Sequence, residues 1–141
     1  MSQRATISPA DARAIIVEGN AELLIKRARE IGQALKDAGL SMAQIRGIFG
    51  TVRRIEMRWT EKATEDEETR EEMRERAMRQ LLLLQPKLEY QARRQRAVEG
   101  LKNVLIPAIE QVQGDRDRFG RFVEFFEAIL AYHVAAGGRT N

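Results

Sequence analysis

Apolar residues recur at three- and four-residue steps along most of the chain, and no segment alternates apolar and polar positions with period two. That pattern predicts helices and no strands. Ser8-Pro9 places an N-cap before a proline at the first helical position. Gly19-Asn20 ends that short helix, and Asn20 is placed to cap a second over 21–38, with Leu23, Leu24, Ala28, Ile31 and Leu35 on one face. Gly39 stands where a left-handed C-terminal cap belongs. Ser41, with Gln44 three residues on, forms a capping box for a third helix carrying Ile45, Ile48, Phe49, Val52, Ile55 and Trp59. Thr60 or Thr64 is expected to cap a fourth, whose acidic start suits the positive end of a helix dipole and which should stop near Gln85, before Pro86. Residues 87–94 read as a short helix, or as a continuation after a kink. The next helix spans 96–113, where Pro107 is expected to bend or break it. Asp115 caps the last helix, which sets Phe119, Phe122, Val123, Phe126, Ile129, Leu130 and His133 on one face and stops at Gly137-Gly138. The expectation is an all-α fold, a compact bundle of five to seven helices in a single domain over 1–141, frayed at 1–7 and 138–141.

Composition narrows the chemistry. A chain of 141 residues with 43% hydrophobic content can bury one modest core. No Cys is present, which excludes disulfides, thiolate metal sites and cysteine nucleophiles. The single His, His133, lies on the apolar stripe of the last helix and reads as a core or interface histidine. Asp115 is better used as a cap than paired with Asp117 as a metal ligand, and no phosphate-binding glycine loop with a following Lys-Ser/Thr occurs. No nucleophile has a base beside it. The expectation is therefore no enzyme, no catalytic residue, no metal and no cofactor. The longest aliphatic run, Leu81 to Leu84, is far short of the ~20 residues that span a membrane, and the N-terminus lacks the apolar core of a secretory signal. A cytoplasmic protein with no membrane partner is expected.

Charge is unevenly placed. Residues 61–75 hold eight acidic against three basic residues, so the rest of the chain carries more than the overall +3. Of the 24 basic residues 19 are Arg, the residue that pairs with phosphate through a planar fork. Stepping 100 degrees per residue along the third helix puts Arg46 and Arg53 within about 20 degrees of each other, opposite the apolar stripe. Arg54 and Arg58 lie about 80 and 120 degrees round from Arg46. Gly47 and Gly50 sit among them, although each costs the helix about 1 kcal/mol against Ala. Small residues there would admit a phosphate backbone or another helix; an ordinary solvated face is the plainer reading. The second cluster is Lys87, Arg93, Arg94 and Arg96, around Tyr90. In a helix Lys87, Tyr90 and Arg94 share a face. Tyr90 is either a core aromatic or a platform on which a base stacks. Three arginines in four residues call for neutralisation, and Glu89 and Glu99 are the only local acids.

The run Leu81-Leu82-Leu83-Leu84-Gln85-Pro86-Lys87-Leu88-Glu89-Tyr90-Gln91-Ala92-Arg93-Arg94 resembles the central motif of the small subunit of type III-A CRISPR effector complexes, the Csm small subunit. Gln44-Ile45-Arg46 with Phe49 and Arg53-Arg54 is similar to that family's earlier basic helix. The stretch 122–138, with Phe126-Glu127-Ala128-Ile129 and Tyr132 before the glycine pair, is similar to its C-terminal helix. Where the family usually has a small residue before the closing Arg, this chain has Arg93, which leaves open whether Arg93 or Arg94 does the work. The resemblance implies a non-catalytic helical subunit of an antiviral defence complex. Copies of it would line up as a filament beside target RNA paired with guide RNA, against the backbone subunits and the large subunit. RNA cleavage would belong to the backbone subunits. Phosphate contacts are then expected from Arg46, Arg53, Arg54, Lys87, Arg93 and Arg94, with Arg58 and Arg96 behind them. A helical protein-interaction adaptor with no nucleic-acid role is the alternative.

Overall fold

The computed structural model describes residues 5–60 and 66–139. The order of elements is α1 (Pro9–Ile16), α2 (Ala21–Asp37), α3 (Met42–Arg58), α4 (Glu67–Arg94), a 3-10 turn (Arg96–Val98), α5 (Glu99–Glu110) and α6 (Arg116–Ala135). Among the described residues six α-helices make an all-α bundle, as expected. Five helix starts carry the same device, a side-chain oxygen that accepts a backbone N–H three residues on. Ser8, Asn20, Ser41 and Asp115 play this part as the sequence predicts, Ser41 with the reciprocal Gln44 contact of a capping box. On α4 the cap is Asp66, not Thr60 or Thr64; Thr64 lies outside the described residues. The Thr69 hydroxyl and its backbone N–H, 2.7 Å from Asp66 Oδ1, hold the Asp66 carboxyl below its ordinary value.

Neither proline breaks its helix. Pro86 lies inside α4, which continues unbroken to Arg94, and Pro107 lies inside α5. A proline deprives the carbonyl four residues back of its partner. For Pro86 that carbonyl belongs to Leu82, a residue 50% exposed. The helix expected over 96–113 is shorter, with a 3-10 turn at its start and α5 ending at Glu110.

The longest apolar helix, α6, is the one the others surround: α1, α2, α3 and α5 all pack on it. Phe125 is buried as well as Phe119, Phe122 and Phe126, so more of α6 is inside than one stripe would place there. A series of rings ties α6 to α3. Trp59 stacks on Phe119 at 5.2 Å, Phe119 on Phe122 at 6.1 Å, Phe122 meets Phe126 at 6.4 Å, and Phe126 meets Phe49 edge-on at 5.1 Å. The two helices therefore run antiparallel. On the α2 side the helices approach so closely that a Cβ at Gly32 would lie 2.7 Å from Tyr132 Cβ and 2.8 Å from the His133 nitrogen.

Arginines of α6 close the ends of other helices. Arg121 Nε donates to the carbonyl of Ile16, the last residue of α1, at 2.7 Å, and Arg116 Nε donates to the Trp59 carbonyl at 2.8 Å, at the end of α3. These carbonyls have no partner within their own helices, and a cation there also meets the negative end of the dipole.

The frayed ends expected at 1–7 and 138–141 are corrected within the described residues. Ala5 and Ile7 are buried. Gly138 lies against the His133 ring, where a Cβ would come within 2.1 Å of Cε1, and Met42 N donates to the Arg139 carbonyl at 2.7 Å. His133 is buried as expected. Its Nε2 lies 2.6 Å from the Leu40 carbonyl, while its Nδ1 has no partner among the described residues.

Candidate nucleic-acid interface

The eight basic residues singled out by sequence are all exposed: Arg46, Arg53, Arg54 and Arg58 on α3, Lys87, Arg93 and Arg94 on α4, and Arg96 in the 3-10 turn. Ile45, Ile48, Val52 and Ile55 turn one side of α3 into the core, which leaves the arginines outside. On α4, Leu81, Leu84, Leu88 and Ala92 do the same across Pro86.

The two clusters are neighbours. The Gln44 side-chain amide, already part of the capping box of α3, donates to Gln95 Oε1 just past the end of α4. The start of α3 thus sits beside the end of α4, and the helices run antiparallel. Between them lies a groove of about 520 Å³ whose lining includes Gln44, Gly47, Tyr90, Arg94 and Gln95. Of the eight basic residues Arg94 lines it and Arg93 does not. Helical phase places Arg54 and Arg58 within about 20 degrees of Gly47, on the groove side of α3, with Arg46 and Arg53 about 100–120 degrees away.

Tyr90 is 62% exposed, which removes the core reading of that residue. Its hydroxyl accepts a hydrogen bond from Arg94 Nη1 at 3.1 Å, and the Arg94 guanidinium lies 5.7 Å from the ring centroid. The i, i+4 spacing brings the two together, as the shared face predicts. The two glycines of α3 differ. A Cβ at Gly50 would meet Arg54 Nη1 at 3.7 Å, so the Arg54 side chain, which also donates to Thr51 Oγ1 at 3.1 Å, folds back over that glycine. A Cβ at Gly47 would meet nothing within 4 Å. No helix among the described residues packs there.

Among the described residues the cluster at the end of α4 has no carboxylate within ion-pair distance. Lys102 Nζ lies 3.7 Å from Glu89 and 3.5 Å from Glu99, so the two nearby acids serve Lys102. Among the described residues Arg53 alone of the eight has a carboxylate partner, Glu56. The described part of the acidic stretch, 66–75, is the exposed start of α4, where Glu71 pairs with Arg74; residues 61–65 lie outside the described residues.

The sequence grouped the arginines correctly by helix but missed Gln44 and Gln95, which join the two clusters. Their contact spans 51 positions of chain, and nothing local announces it. Among the described residues no three His, Asp or Glu side chains gather as a metal site would require, and no helix is long and apolar enough to cross a membrane.

A family model described as Csm2 Type III-A matches residues 18–139, from the turn after α1 to the end of the described chain. No curated protein and no solved structure matches.

Proposed function

The chain belongs to the Csm2 family and hence to the Csm complex of type III-A CRISPR defence; on that premise we propose that it is a non-catalytic subunit that grips the backbone of target RNA paired with guide RNA. Base pairing supplies sequence selection in such a complex, so phosphate contacts are what remain for this protein. The observation that carries the reading is that the seven exposed cations singled out on these two adjoining helices, with Arg96 in the turn after α4, have among the described residues one carboxylate partner between them, Glu56. Arg46, Arg53, Arg54, Lys87, Arg93 and Arg94 are the phosphate contacts, with Arg58 and Arg96 behind them. Leu82 and Leu83, exposed by 50% and 48% beside the half-buried Met78, give α4 an apolar strip for packing against neighbouring copies or the backbone and large subunits in the cytoplasm.

The test replaces Arg46, Arg53 and Arg54 together by Ala in the assembled complex. Affinity for target RNA falls, and the slope of log K against log salt becomes shallower by about two. Unchanged affinity and slope would refute the reading.

A further inference from the structure

We infer that the groove between the start of α3 and the end of α4 seats one unpaired nucleobase of a bound RNA strand, stacked at Tyr90. The inference rests on the RNA reading above and goes beyond it, because that reading needs only phosphate contacts.

Three features of the groove fit a base and are not needed by the fold. The first is the ring. Tyr90 lies about 160 degrees from the centre of the buried stripe of α4 and contributes nothing to the core. Arg94 holds it in place with one guanidinium N–H of five, which leaves donors for the phosphate of the same nucleotide. The second is the space. At about 520 Å³ the groove falls within the usual range for a small-ligand pocket. Gly47, which lines it, weakens the helix and makes room for no other part of the described chain. The third is the polar rim. Gln44 Oε1 is occupied by the Ser41 backbone N–H at 2.9 Å, and the Gln44 amide by Gln95. The Gln95 amide N–H groups and the Gln91 side chain, which also lines the groove, remain to meet the edge of a base. Single-stranded RNA is held in this manner, with bases stacked on aromatic rings or guanidinium planes and their edges hydrogen-bonded. Stacking is tolerant of base identity, so the seat is compatible with a subunit that reads no sequence.

The experiment walks 2-aminopurine along the target strand bound to the assembled, guide-loaded complex. At one or more positions fluorescence is quenched; Tyr90→Leu and Gly47→Met relieve the quench, and Tyr90→Phe keeps it. Both positions are solvent-facing, so the variants fold. Affinity for target falls about 5- to 150-fold in Tyr90→Leu, with the salt slope unchanged because no charge is lost. Quenching and affinity that are indifferent to Tyr90→Leu and Gly47→Met, in a complex whose salt slope still responds to the triple arginine change, overturn the seat and leave the phosphate reading standing. Indifference to both sets overturns both. Saturable binding of AMP to the RNA-free protein, abolished by Tyr90→Leu and without any strand-dependent quench, assigns the groove to a free nucleotide and likewise overturns the proposal.

Discussion

One substitution, glycine to alanine, is expected to have opposite signs at two helix positions. In a helix interior Ala is favoured over Gly by about 1 kcal/mol. At Gly47 the new methyl meets nothing within 4 Å, so the gain is realised in full. At Gly32 the methyl would lie 2.7 Å from Tyr132 Cβ, 2.8 Å from the His133 nitrogen and 2.9 Å from the Tyr132 carbonyl carbon. Carbon atoms pack at about 3.5–4.0 Å, and two of these three obstacles are main-chain atoms that no rotamer change can remove. Helices α2 and α6 must separate, at the upper end of the 1–3 kcal/mol typical of overpacking. Subtracting the propensity gain leaves Gly32→Ala destabilised by about 2 kcal/mol. In a domain of this size 1 kcal/mol moves Tm by about 2–4 °C. Gly47→Ala should therefore melt about 2–4 °C above the parent and Gly32→Ala about 4–8 °C below it. Circular dichroism at 222 nm during heating reads both, and urea titrations should show shifted midpoints with a common slope. If Gly32→Ala melts with or above the parent, α2 and α6 are not in the contact described. If Gly47→Ala melts below it, something covers that face of α3.

Three further outcomes are expected. Arg116→Ala removes the donor to the Trp59 carbonyl and a guanidinium 5.9 Å from the indole centroid; a loss of about 1–3 kcal/mol in urea unfolding, with altered near-ultraviolet dichroism of the only tryptophan, supports the contact, and parental values for both exclude it. Phe122→Ala removes the middle ring of the series that joins α6 to α3 and should cost about 3–5 kcal/mol, read as a fall in urea midpoint; a cost below 1 kcal/mol would place Phe122 outside the core. Asp66 has its folded-state pKa lowered from 3.8 by Thr69, so its contribution is present above that value and is lost as pH falls through the folded one. Protection of the amides in the first turn of α4, taken relative to their intrinsic exchange rate at each pH, should fall on acidification through that window in the parent and stay level in Asp66→Asn; equal responses would deny the cap.

What the sequence made legible is what depends on short range. A cap is a hydrogen bond between residues three apart, and four of the five such starts could be read directly. The start of α4 was misplaced because the acidic run offers several capping side chains, while the first buried residue of that helix is Ala77, too far along to fix the beginning. Neither proline breaks its helix; the rule sets the loss of one hydrogen bond against the packing of the whole helix, and the stripe of Leu81, Leu84 and Leu88, buried on both sides of Pro86, outweighs it. The C-terminal end looked free because Gly138 and Arg139 are held by His133 and Met42, partners whose closeness is tertiary. For the candidate interface, phase within each helix was legible and the joining of the helices was not.

That same limit explains why Tyr90 could not be assigned from sequence and why the sequence alone does not say which of Arg93 and Arg94 faces α3. Both questions turn on whether Pro86 interrupts α4. Had the helix broken there, residues 87–94 would have had a phase of their own, and Tyr90 could have turned inward. Because α4 is continuous, Leu81 and Leu84 on one side of Pro86 and Leu88 on the other belong to a single buried stripe. Counting from that stripe puts Tyr90 about 160 degrees away, facing water, and Arg94 about 120 degrees away on the flank it shares with Lys87. Arg93, one residue earlier, is about 100 degrees from Arg94 and falls on the opposite flank. Only one of two adjacent arginines can face α3, and the leucines upstream of the proline decide that it is Arg94.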